Sequence, residues 1–176
     1  MRQKLLILGA LCLTALTVTA AALAGTLTPT GTVTGAAGMS MALPGNPSFT
    51  DTLDGTDQTV FWSAVLGVTD ARGSGAGWNL QISATSFSDG SGHTLAPGAV
   101  TAVAAACVGG STCTSSTNAI GYPLTVTGTA AKFYNAATAT GMGKVNVTPT
   151  VDVVVPGNSY AGTYTSTVTL AAVSGP

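Results

Sequence analysis

Two runs of alternating side chains joined by a glycine-rich loop set the first limit on this fold. From Val60 to Val68, the residues Val60, Trp62, Ala64, Leu66 and Val68 alternate with Phe61, Ser63, Val65 and Gly67. A period of two puts each set on its own face of a pleated strand, and one face is much more apolar than the other. The second run, Trp78 to Ala84, sets Trp78, Leu80, Ile82 and Ala84 against Asn79, Gln81 and Ser83. That is the pattern of a half-buried antiparallel strand. Between the two runs lies Asp70-Ala71-Arg72-Gly73-Ser74-Gly75-Ala76-Gly77.

Further strands are expected at Ala99 to Ala106, Leu124 to Gly128, Lys132 to Asn135, Lys144 to Val155 and Tyr160 to Val173, each rich in Val, Thr or aromatic residues. Turns punctuate them at Asp89-Gly90-Ser91-Gly92, Pro97-Gly98, Gly141-Met142-Gly143 and Pro156-Gly157-Asn158-Ser159. No amphipathic helix interrupts the series. The expectation is an all-β fold, a two-sheet antiparallel β-sandwich of immunoglobulin-like or jelly-roll-like type. Residues 46–176 would form it, preceded by a Thr/Gly-rich segment, residues 25–45, that reads as an extended lead-in or an edge strand.

Arg2 and Lys4, the apolar run Leu5 to Leu16 and the small residues Ala20-Ala21-Ala22-Leu23-Ala24 read as a secretory signal peptide, residues 1–24. Cys12 follows bulky Leu11 inside that run and is read as part of the removed peptide, not as a lipid attachment site. No second hydrophobic segment follows, so no membrane span is expected after cleavage. The expected address is extracellular, where the even pair Cys107 and Cys113 is read as a disulfide.

Charge narrows the partners. Downstream of the signal peptide the charged side chains are Arg72, Lys132 and Lys144 against Asp51, Asp54, Asp57, Asp70, Asp89 and Asp152, with no glutamate. Such a chain has no basic face to hold phosphates, which excludes nucleic acid as a partner. Its surface is instead Thr, Ser, Asn and Gly, suited to uncharged polymers.

The Trp78-Asn79-Leu80 tripeptide, with Asp70 and a hydrophobic strand before it, resembles the first signature of the WxL family of bacterial surface proteins. The segment Tyr160 to Leu170 is similar to that family's distal motif, with Leu170 where a second tryptophan would fall. The resemblance implies a protein held without a covalent bond on the cell wall, on peptidoglycan or an associated polymer, with a structural or adhesive role. It also implies other WxL-type surface proteins as partners.

Strand alternation assigns Trp62, Trp78, Leu80 and Leu170 to the core, with Tyr160 and Tyr164 as further signature positions. The opposite face, Asn79, Gln81 and Ser83, offers neutral donors and acceptors for a glycan or peptide. Asp70 and Arg72 would pair to steady the glycine loop and would border the same surface. Asp51, Asp54 and Asp57 surround Gly55 in an oxygen-rich turn, a weak calcium candidate because the spacing is not that of an EF-hand. Neither a metal nor a cofactor is expected.

Catalysis fits poorly. His93 is the sole histidine and sits in a glycine turn near Asp89, with no nucleophile placed beside it. Ser174-Gly175-Pro176 carries no sorting motif or hydrophobic tail, which fits retention by binding alone, or release. A competing reading is a self-assembling subunit whose segment Gly25 to Gly38 adds a strand to a neighbour's sheet.

Overall fold

The computed structural model describes residues 28–176. The expected signal peptide and Cys12 lie outside the described residues. Residues 33–176 make one compact unit, and residues 28–32 group apart from it. The strands are β1 (Met39–Ala42), β2 (Gln58–Ser63), β3 (Leu66–Asp70), β4 (Trp78–Ala84), β5 (Phe87–Ser88), β6 (Thr94–Leu95), β7 (Ala99–Cys107), β8 (Leu124–Thr125), β9 (Ala131–Ala136), β10 (Gly143–Val155) and β11 (Val168–Ser174). Among the described residues there is no helix, and every strand pairing is antiparallel.

The larger sheet is organised by β10. Its order is β1-β3-β10-β7-β8, with β2 paired to the remaining half of β10. Gln58–Ser63 pairs Val155–Thr150 and Leu66–Asp70 pairs Val147–Gly143, so β2 and β3 lie end to end in one register. Their break falls opposite Thr148 and Pro149. Proline has no N–H to donate to a ladder, which divides the expected single strand Val60 to Val68 in two. Side-chain alternation survives the break, since Trp62, Ala64, Leu66 and Val68 are all buried.

The smaller sheet runs β11-β4-β9. Leu80 faces Tyr134 while Gln81 faces Lys132, leaving Phe133 as an extra residue in β9. This bulge lets Phe133 and Tyr134 both be buried. Inward side chains of the two sheets share one hydrophobic cluster that includes Leu66, Val147, Val151, Trp78, Leu80 and Phe133. Burying each such side chain stabilises the fold by roughly 1.5–3 kcal/mol relative to leaving it in water. The expected disulfide is present between Cys107 and Cys113, whose Cα atoms are 5.7 Å apart.

Three segments bear on function. Met39–Ala42 is an edge strand on β3, inside the segment read as lead-in or edge. The expected strand Tyr160 to Val173 is regular only from Val168 onward, and Tyr160 to Tyr164 is loop. Leu43 to Asp57 likewise returns from β1 to β2 without a strand.

Candidate functional site

The Trp78-Asn79-Leu80 signature builds the fold. Trp78 and Leu80 are fully buried. The indole N–H donates to the Gly141 carbonyl at 2.9 Å, and the ring lies 5.8 Å from that of Tyr134. Strand β11 pairs directly with β4, Leu170 against Ile82 and Ala172 against Leu80, so the two motif segments are neighbours in one sheet.

Asp70 and Arg72 pin the glycine loop. Arg72 Nε and Nη2 donate to Asp70 Oδ1 and Oδ2 at 2.8 and 2.9 Å, and Nη2 also donates to the Gly77 carbonyl at 2.8 Å. Nη1 reaches the Ser174 hydroxyl on β11. These bonds tie the end of β3 to the start of β4 and the end of β11. Asp70 is 2 % exposed. Hydrogen bonding from the Arg72 side chain holds its carboxyl below the ordinary value, against the opposing effect of burial.

The expected polar binding face needs correction. Asn79 is 4 % exposed. Its amide donates to the Gly175 carbonyl at 2.7 Å and its oxygen accepts from Gln81 at 3.2 Å. Asn79 faces Asn135 across the ladder, and Asn135 is covered by the Asn118–Ala119 turn, which exchanges bonds of 2.8 and 3.1 Å with it. Gln81 and Ser83 are half-buried. Asp70, Arg72 and Asn79 are therefore engaged inside the structure, leaving Gln81 and Ser83 as the reachable members of the set.

Tyr160 is also displaced from its expected place. At 64 % exposure it is no core residue. Tyr164 and Leu170 are half-buried and pack against the core cluster. The reason is pairing: among the described residues no strand pairs with Tyr160 to Tyr164, so alternation there does not dictate burial.

These residues line a groove of about 1250 Å³. Leu43 to Leu53 forms one wall, Ser159 to Val168 the other, and Trp62, Ala64, Phe87 and Val155 contribute to its lining. The first wall is anchored by Phe49, whose ring meets Phe87 edge-on at 5.5 Å. The second is anchored by a ring stack, His93 on Tyr160 with centroids 3.7 Å apart. His93 is held in turn by Asp89, whose carboxyl that hydrogen bond keeps below the ordinary value. The Tyr164 hydroxyl donates to the Tyr160 carbonyl at 2.9 Å.

The groove's chemistry is neutral. Its polar lining is hydroxyl and amide from Asn46, Ser48, Thr50, Thr163, Thr165 and Ser166, among others. Among the described residues no Lys, Arg or His lines it, and Asp51 is the one charged side chain that does. Such a surface hydrogen-bonds uncharged hydroxyls and stacks on apolar C–H faces. Phe49 and Phe87 were not singled out in the sequence. The available signal is an aromatic residue, Phe49, in the polar segment Pro47 to Thr52.

The calcium candidates do not converge. Asp51 accepts from Thr52 N–H, Asp54 from the Thr56 N–H and hydroxyl, and Asp57 from Gly157 N–H. Among the described residues no group of three His, Cys, Asp or Glu side chains is placed to hold a metal ion.

No curated protein and no solved structure matches the chain. A family model described as WxL domain surface cell wall-binding matches residues 37–173, from just before β1 into β11, and takes in the signature strand, the Asp70–Arg72 clasp and both walls of the groove. The chain belongs to the WxL family of surface, cell-wall-binding domains.

Proposed function

We propose that the protein is exported and held on the cell wall without a covalent bond, by an uncharged glycan lying in the groove between Leu43–Leu53 and Ser159–Val168. The observation that carries this reading is the groove's lining: exposed and half-buried aromatic rings, neutral hydroxyls and amides, and, among the described residues, no cation. Sugar rings present apolar C–H faces to aromatic rings and hydroxyls to neutral donors and acceptors. Anionic wall polymers call instead for Arg or Lys. The glycan strands of peptidoglycan fit this chemistry, and the role is structural or adhesive, without catalysis.

The test is co-sedimentation of the protein, without residues 1–24, with isolated walls before and after chemical removal of their anionic secondary polymers. Binding should survive that removal and be competed by soluble glycan fragments. Tyr160→Ala with Tyr164→Ala should weaken it about tenfold with the fold intact. Loss of binding on removal of the anionic polymers would place the ligand elsewhere.

A further inference from the structure

Among the described residues the larger sheet has an unpaired margin. On one side β7 pairs with β10 along Ala99–Cys107, but on the other β8 covers only Ala99 and Val100. Ala102 and Ala104 to Cys107 are exposed. A ladder edge of this kind offers free N–H and C=O groups to any extended chain, and native edges are commonly guarded by Lys, Pro or inward charge. Thr101 to Cys107 carries none of these. From Ala104 to Ala106 its side chains are methyl groups, small enough to admit a neighbouring strand closely, and Cys107 beyond them is bridged to Cys113.

A segment with the sequence pattern of a strand lies elsewhere in the same chain. From Thr26 to Thr34 threonine occupies every second position, with Leu27, Pro29, Gly31 and Val33 between. This is a period-two pattern of a strand-prone residue. The described part, Thr28 to Thr34, is exposed and pairs with no strand among the described residues, and Val33 is 98 % exposed. The segment joins the domain at Ala36, whose N–H donates to the Ala71 carbonyl at 2.8 Å. Ala71 follows β3, and β10 separates β3 from β7 in the sheet. The tether and the open edge thus belong to opposite sides of one sheet.

We propose that the chain assembles with copies of itself by strand addition, residues 28–34 of one copy pairing along the β7 edge, Ala102–Cys107, of the next. Backbone hydrogen bonds supply the affinity, as in other strand-addition modes. Donor and acceptor span similar lengths, roughly 20 Å each at the rise of an extended strand. Because they are different surfaces, the contact is head-to-tail, and repetition gives open chains unless the rotation closes a ring. None of this uses the glycan groove.

A mixing experiment on the protein without residues 1–24 decides it. The unaltered protein should show a mass that rises with concentration by light scattering. Deletion of residues 28–34 removes the donor, and Ala104→Lys with Ala106→Lys guards the acceptor. Each variant alone should run as a monomer, and an equimolar mixture should form a discrete dimer, since one retains only the edge and the other only the strand. A synthetic peptide of residues 28–38 should cap the unaltered protein and lower its mass, a result that does not depend on either variant's folding. A concentration-independent monomer, assembly that persists in either variant, or a peptide without effect would overturn the proposal. Wall binding should be unchanged by the edge substitutions, which separates this outcome from that of the groove.

Discussion

Trp78 and Gly141 fix each other. The indole N–H of Trp78 donates to the Gly141 carbonyl at 2.9 Å, and Gly141 sits at a φ of 72° directly against the ring. A Cβ added there would fall 2.5 Å from the Ala136 Cβ and 2.7 Å from the indole nitrogen. The WxL tryptophan thus serves as a buried joint between β4 and the turn before β10.

Gly141→Ala should therefore destabilise the domain by about 2–4 kcal/mol, combining left-handed backbone strain with overpacking. Trp78→Phe should lose packing and also leave the Gly141 carbonyl without the indole donor, an added penalty of about 1–3 kcal/mol. Chemical denaturation of both variants checks the order and size. Gly141→Ala melting with the unaltered protein would contradict the close packing at this joint.

The Asp70–Arg72 pair should make stability pH-dependent in a defined direction. Asp70's carboxyl is held below its ordinary value of 3.8, chiefly by the Arg72 hydrogen bonds. A depressed folded pKa contributes stability that is fully present above the ordinary value and lost as pH falls through the lowered one. Asp70→Asn should be less stable than the unaltered protein at neutral pH, and the gap should close below about pH 4. Asp70→Ala should cost about 3 kcal/mol, since it leaves the largely buried Arg72 guanidinium without its carboxylate. Urea titrations at successive pH values read both effects; a gap constant down to acid pH would contradict the assignment.

Reduction of the Cys107–Cys113 disulfide should lower stability modestly. The bridge spans a sequence separation of 6, so the chain-entropy model gives about 2 kcal/mol. That corresponds to a fall in Tm of roughly 4–8 °C for a domain of this size. Calorimetry of Cys107→Ser with Cys113→Ser provides the measurement, and the protein should still fold.

Alternation made the core strands readable. Trp62 to Val68, Trp78 to Ala84 and Lys144 to Val155 each bury one side-chain set, and that pattern depends only on the strand's own period. The clasp at Asp70 and Arg72 was readable as well, because its members are two residues apart. What alternation could not supply was pairing. Tyr160 to Tyr164 has the composition of a strand but no partner, so its aromatic residues line a groove. Asn79 has the composition of a solvated face, yet the Asn118–Ala119 turn and Gly175 close over its neighbourhood. Both outcomes are set by segments distant in sequence, to which a local period carries no information.

Leu170 offers a direct test of the groove. It stands in β11 where the resemblance to the family places a tryptophan, and its half-buried side chain lines the groove that Tyr160 and Tyr164 also line. Open volume beside it gives a larger ring somewhere to go, unlike a closed core site where added atoms cost about 1–3 kcal/mol. Leu170→Trp should therefore keep the fold and add an aromatic surface to the groove. If glycans lie there, wall affinity should rise by a few-fold, equivalent to roughly 0.5–1.5 kcal/mol of aromatic contact. The comparison is a wall-binding isotherm for Leu170→Trp beside its melting curve. Unchanged affinity at unchanged stability would mean that Leu170 borders no ligand, and the groove would lose its claim as the wall-binding site.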